Sequence, residues 1–178
     1  MAKTHTYRAP WGRSVKIQTI GIITLFAFII ATHVYFGSHS ESSPHPAITF
    51  LFIAPIILIL PLISLFMVRN YELNDLTLFV QRSFWKTKVD LKNINSIDIV
   101  PYVMSGSFRF GNSGFFAISG SFQNKRLGLY QAFVTDTKRT VVLKSYKKTV
   151  VISPDNPEKF VDDVKSIIST LRNEGSDK

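Results

Sequence analysis

The stretch richest in chemistry-bearing residues is Gly111–Asp136, GNSGFFAISGSFQNKRLGLYQAFVTD. Its glycines, with Lys125 and Arg126, raise a phosphate-binding loop as the first question. A G-x-x-x-x-G-K-[ST] loop needs its lysine directly after the second glycine, so that backbone amides and an ammonium converge on phosphate. Here five residues separate Gly114 from Gly120, and Ser121-Phe122 follow. A dinucleotide fingerprint needs G-x-G-x-x-G opening a helix. Gly111 and Gly114 instead lead into Phe115-Phe116-Ala117-Ile118. Neither loop is present. The glycines at 106, 111, 114, 120 and 128 read as bends and close backbone approaches in a long excursion between strands, Val103 to Leu127.

Other reactive constellations are also missing. The chain has no cysteine, which excludes disulfides, thiol nucleophiles and Cys-ligated metals. His5, His33, His39 and His45 are scattered. His39 and His45 share a short segment with Glu41, a poor cage for a metal. Asp162-Asp163 reads as a solvated pair on the polar side of a helix. No G-x-S-x-G elbow accompanies a partner histidine. The expectation is a protein that is not an enzyme, with no catalytic, cofactor-binding or metal-ligating residue. What remains is basic and aromatic: Arg82, Lys86 and Lys88 around Phe84-Trp85, Lys144, Lys147 and Lys148 around Tyr146, and Arg109, Lys125 and Arg126 among phenylalanines. Such mixtures bind single-stranded nucleic acid or an anionic membrane surface.

The elements that carry these residues favour the membrane. Two apolar runs, residues 17–36 and 47–68, are each long enough for a hydrocarbon core of ~30 Å. The loop between them, 37–46, holds no lysine or arginine. Arg8, Arg13 and Lys16 precede the first run and Arg69 follows the second. Positive charge is retained on the cytoplasmic side, so both termini are expected there, in a bacterial inner membrane. The first run is too long for the apolar core of a cleaved signal, and no small-x-small site follows it. Pro55 and Pro61 lie inside the second run, where neighbouring groups in a membrane can satisfy the carbonyls they free.

From Arg69 the pattern changes to period two. YELNDLTLFVQ turns at Asn74-Asp75. VDLKNINSIDIV, LGLYQAFVTD, RTVVLKSY and KKTVVIS add further strands, with another turn at Ser145–Lys148, for about six or seven in all. The last element is helical. Phe160, Val161, Val164, Ile167, Ile168 and Leu171 form one apolar stripe, Asp155 or Asn156 caps it, Pro157 suits its first turn, and Arg172 and Gly175 mark its end. A single stripe must be buried against the sheet.

Several antiparallel strands followed by one closing helix is the order of pleckstrin-homology domains. The segments YELNDLTLFV, VDLKNINSIDIV, LGLYQAFVTD and KKTVVISPDNPEKFVDDV together resemble a bacterial PH-like family of membrane-anchored proteins. Ser153-Pro154-Asp155 and Pro157-x-x-Phe160 match its I-S-P strand end and D-x-P-x-x-F helix start. The resemblance implies an α+β fold: a two-helix transmembrane hairpin, then a PH-like antiparallel half-barrel closed by one C-terminal helix. The expected division is a basic N-terminus, 1–16, the hairpin, 17–68, the domain, 69–172, and a flexible tail, 173–178. The expected role is a non-enzymatic binding or scaffolding module at the cytoplasmic face. The alternatives are a regulatory or sensory subunit of a larger membrane complex, or recognition of anionic lipid head groups. The basic pattern of inositide-binding PH domains is absent from the Asn74-Asp75 turn. Anionic inner-leaflet lipid and a protein are the expected partners, not nucleic acid, because a tethered domain meets lipid first. Candidate contact residues are Arg69, Arg82, Trp85, Lys86, Lys88, Arg109, Lys125 and Arg126.

Overall fold

The computed structural model describes residues 4–39, 46–113 and 115–176. The chain forms, in order, β1 (Thr4–Arg8), α1 (Arg13–His39), α2 (Pro46–Ser64), β2 (Val68–Asn74), β3 (Thr77–Arg82), β4 (Lys86–Asp90), β5 (Ile94–Ile99), β6 (Phe108–Ser113), β7 (Ile118–Asn124), β8 (Gly128–Val134), β9 (Val141–Ser145), β10 (Thr149–Ile152) and α3 (Pro157–Ser176). Two sheets result. The first runs β1-β2-β3-β4, the second β5-β9-β10-β8-β7-β6. They face each other without closing into a barrel.

Both expected turns are present. β2 and β3 join at Asp75, which takes the left-handed conformation at φ 47°. β9 and β10 join at Ser145–Lys148, where Ser145 Oγ accepts from the Lys148 amide. The antiparallel expectation needs correction at one pair, since β10 runs parallel to β8. The VVL and VVI runs explain the placement. Val141, Leu143, Val150 and Ile152 point into the core between the sheets, while Val142 and Val151 point into a second cluster behind. Strands apolar on both faces belong in the middle of a sheet, so the β9–β10 hairpin lies between β5 and β8.

The excursion expected over 103–127 is largely a hairpin, β6 with β7. Period two is hidden there because Ser and Gly, not charges, alternate with Ile118 and Phe122. Gly111 lies opposite Gly120, which sits at φ 145°.

The main core is sealed by Phe160, Val161 and Val164 of α3, with Ile167 and Ile168 packed against it. Asn156 Oδ1 accepts from the Lys159 amide, capping the helix as expected. The helix runs past the expected Arg172–Gly175 stop to Ser176. One glycine costs a helix only about 1 kcal/mol and does not oblige it to end.

Two larger corrections concern the N-terminal part. The basic N-terminus, 1–16, contains a strand not expected from the sequence: β1 pairs antiparallel with β2, from Thr4↔Asn74 to Arg8↔Asn70. Among the described residues, one helical stretch, Arg13–Gly37, is long and apolar enough to cross a membrane. The second run, expected as a span over 47–68, leaves the helix at Ser64. There i→i+3 bonds, Leu65 N to Leu62 O, Phe66 N to Ile63 O and Met67 N to Ser64 O, tighten the last turn. Val68 is then drawn into the sheet, 1% exposed. Most of the loop expected at 37–46, with Glu41 and His45, lies outside the described residues.

Candidate functional site: the helix-bearing end of the domain

Both helices join the domain at one end. At α1, the Gly12 amide donates to Thr135 O at 2.8 Å. A Cβ on Gly12 would lie 2.6–2.8 Å from Asp136, including its backbone, so only glycine fits this approach. Val15 and Thr19, one turn apart on α1, are buried on the outer face of the second sheet, and the Phe116 amide donates to Thr19 Oγ1 at 3.2 Å. At α2, Ser83 Oγ donates to Ser64 O at 3.2 Å, and Ala9 N donates to Arg69 O at 3.0 Å. The domain is therefore held by two short connections, one to each helix.

Aromatic rings surround these junctions. Trp11 packs on Phe116 with centroids 5.7 Å apart, Phe116 on Phe115 at 4.6 Å, and Phe66 on Trp85 edge-to-face at 5.1 Å. Phe84 stands exposed beside them.

Arg82 is the residue whose position the sequence concealed. It follows Leu78 and Val80 on the inward side of β3, so it points between the sheets. Its guanidinium lies 5.1 Å from the Phe133 ring centroid, 5.4 Å from Trp85 and 6.0 Å from Phe66. Rings at this range attract a cation electrostatically. Burial lowers its pKa from the usual arginine value. Nε is buried without a hydrogen-bond partner. An open pocket of about 470 Å³ adjoins it, lined by Ile63, Phe66, Phe115, Ser119, Gly120 and Gln131.

The other expected contact residues do not gather into one surface. Arg69 is exposed near the helix junctions. Lys86 Nζ donates to Glu72 Oε2 at 3.0 Å, and Glu72 is held below the usual carboxylate range by hydrogen bonds from Gln81 and Lys86. Lys88 Nζ lies over Phe79 at 5.7 Å on the outer face of the first sheet. It also lines a separate pocket of about 460 Å³ with Tyr146, Lys147 and Lys148, toward the opposite end of the domain. Lys125 and Arg126 sit in the β7–β8 turn, at the end of β7 remote from α1. The Arg109 side chain lies outside the described residues.

Asp163 corrects a second expectation. It is not a freely solvated acid: it accepts a short hydrogen bond from Tyr7 Oη and lies 2.9 Å from His5 Nδ1. Tyr7 also packs edge-to-face on Phe160 at 5.1 Å. Burial, then the Asp163 hydrogen bond and charge, raise the Tyr7 pKa. The strand β1 is thus latched to α3 as well as to β2. The only signal for it in the sequence is the alternation of His5 and Tyr7 with threonines.

Ser153 accounts for the Ser-Pro motif. Its buried Oγ accepts from the Thr135 amide at 2.8 Å and the Asp136 amide at 3.1 Å. Its own amide donates to Tyr71 Oη at 3.2 Å, and Tyr71 Oη donates to Phe133 O at 2.7 Å. Ser153 and Tyr71 therefore tie β10, β8 and β2 together across both sheets. Residues 69–168 match the Bacterial PH domain family. The chain belongs to that family. No curated protein and no solved structure matches it. PH domains are in general non-catalytic binding modules, and the family match lies wholly between α2 and the end of α3; β1 stands outside it.

Proposed function

We propose that this bacterial PH domain protein is a membrane-anchored binding or scaffolding module, with α1 and α2 in the bilayer and the domain on the cytoplasmic side. The observation that carries this reading is the pairing of β1 with β2. It puts the start of α1 and the end of α2 on the same side, so the chain between them crosses a membrane twice or not at all. At 1.5 Å per residue, α1 is ~40 Å long, enough for a hydrocarbon core of ~30 Å, while α2, at ~28 Å, falls slightly short of it, a mismatch that local thinning of the bilayer accommodates at modest cost. Large apolar side chains along α1, such as Ile20 at 64% and Phe28 at 66%, are exposed and need an apolar surrounding. The Lys/Arg asymmetry favours cytoplasmic termini. Trp11, Phe66, Phe84 and Trp85 then lie at head-group depth, where aromatic rings are favoured.

The cysteine-free sequence offers a direct test. Single Ser42→Cys and Ser166→Cys variants of the full chain are treated in intact cells with a membrane-impermeant maleimide. Labelling at 42 and protection at 166 are expected. Labelling at both positions, or at 166 alone, would overturn the topology. Recovery of the chain in the soluble fraction after lysis would overturn the anchor itself.

A further inference from the structure

The pocket beside Arg82 is unlike the rest of the space between the sheets. Elsewhere the inner faces present Tyr71, Leu73, Leu78, Val80, Phe133, Val141, Leu143, Val150 and other apolar side chains. Here they present Arg82 from β3, and Ser119 and Gln131 from β7 and β8. Two polar atoms in this wall are buried without partners, Arg82 Nε and Gln131 Oε1. Among the described residues, no acidic residue lines the pocket. A buried donor and a buried acceptor left without hydrogen bonds are each destabilising, and native folds rarely retain such groups without a reason. The remaining wall is Ile63 and Phe66 at the end of α2, with Phe115 at the tip of the β6–β7 hairpin.

We propose that this pocket binds the head group of an anionic, hydroxyl-bearing phospholipid, such as phosphatidylglycerol, drawn from the leaflet that holds the helices. Its phosphate pairs with the Arg82 guanidinium. A head-group hydroxyl donates to Gln131 Oε1. The acyl chains leave along Ile63 and Phe66 toward α2, whose apolar surface continues from them. Three features select this occupant. The charge is complementary, and a guanidinium forms strong charge-assisted bonds to phosphate. The unpaired acceptor calls for a donor, which a choline head group lacks. The apolar side of the pocket is continuous with the anchor, so the ligand does not leave the bilayer. The pocket lies at the end of the strands opposite Asn74-Asp75, so the bound head group is stationed at the tethers. Its bound lipid would fasten the end of α2 to both sheets.

This inference rests on the membrane reading above, and the experiment separates the two. The full chain is purified in a neutral detergent from mixed phosphatidylcholine and phosphatidylglycerol vesicles, and retained lipid is read by native mass spectrometry. The unmodified chain is expected to retain one phosphatidylglycerol in preference to phosphatidylcholine. Arg82→Gln is expected to reduce retention about tenfold or more, the loss expected when one charged hydrogen-bond partner is removed. Gln131→Leu, which replaces an unpaired polar group by an apolar one and so leaves folding intact, is expected to reduce the preference for phosphatidylglycerol over phosphatidylcholine. Lys86→Gln, on the outer face, should change neither. Equal retention of phosphatidylcholine, or retention insensitive to both Arg82→Gln and Gln131→Leu, overturns the pocket while leaving the anchor standing. Displacement of the lipid by soluble glycerol phosphate overturns the choice of lipid as its occupant. Failure of the chain to incorporate into the vesicles overturns the membrane reading itself.

Discussion

The two sheets solve the problem of burial differently. The first has one apolar face: Tyr71, Leu73, Leu78, Val80 and Val89 point inward, while Glu72, Lys86 and Lys88 stay on the outer side. Its lone borrowed strand, β1, comes from before the helices. The second sheet is apolar on both faces at β8, β9 and β10. Its outer face is covered by Val15 and Trp11 at the start of α1 and by Val100, Val103 and Met104. The first sheet needs the helices only as a route to β1. The second uses the beginning of α1 as part of its own core. Helices and domain are consequently one folding problem on the second sheet and a looser association on the first.

The largest effect tests what both sheets share. Phe160→Ala should destabilise the full chain by about 3–5 kcal/mol, because its fully buried ring seals the core between them. Denaturant unfolding in detergent reads this directly, and a loss under 1 kcal/mol would mean that α3 does not hold the sheets together. Gly12→Ala should act on the second sheet alone. The added methyl meets the Asp136 backbone, an overpacking worth about 1–3 kcal/mol. Hydrogen exchange should quicken at Val142 and Val151 and remain slow at Leu73 and Val80; uniform quickening would erase the contrast between the sheets.

Ser153→Ala should cost about 1–3 kcal/mol by stripping two amides, Thr135 and Asp136, of their acceptor. Alkali probes the same joint. Burial pushes the Tyr71 hydroxyl up to about 12 from its ordinary value near 10. As pH rises from about 10 to about 12, the unfolded chain releases this proton while the fold retains it. Stability is therefore full below that window and falls through it. Tyr71→Phe should flatten the fall, and an unchanged alkaline profile would remove Tyr71 as its source. The smallest effect belongs to the first sheet. Asp163→Asn should weaken the β1 latch by about 0.5–1.5 kcal/mol, with fraying confined to residues 4–8. Global destabilisation of the same size as Phe160→Ala would show that β1 is no borrowed edge but part of the central core.

Local pattern determined much of this protein. Period-two alternation with turn residues marked β2, β3, β9 and β10. The helical stripe from Phe160 and the Asn156-Pro157 start marked α3, and the Ser-Pro-Asp and Pro-x-x-Phe motifs marked the family. These features depend on neighbours a few residues apart, and side-chain spacing carries them. What tertiary structure alone decided depends on residues distant in sequence. β1 could not be read from five residues, since its partner lies beyond two helices. The parallel β8–β10 pair follows from how two-sided apolar strands compete for the centre of a sheet. Arg82 looks like a surface cation beside Trp85, and only the pairing register turns it inward. Asp163 looks solvated until β1 arrives to supply Tyr7. Composition sets which side chains must be buried, but where two distant segments meet decides which polar groups are buried with them.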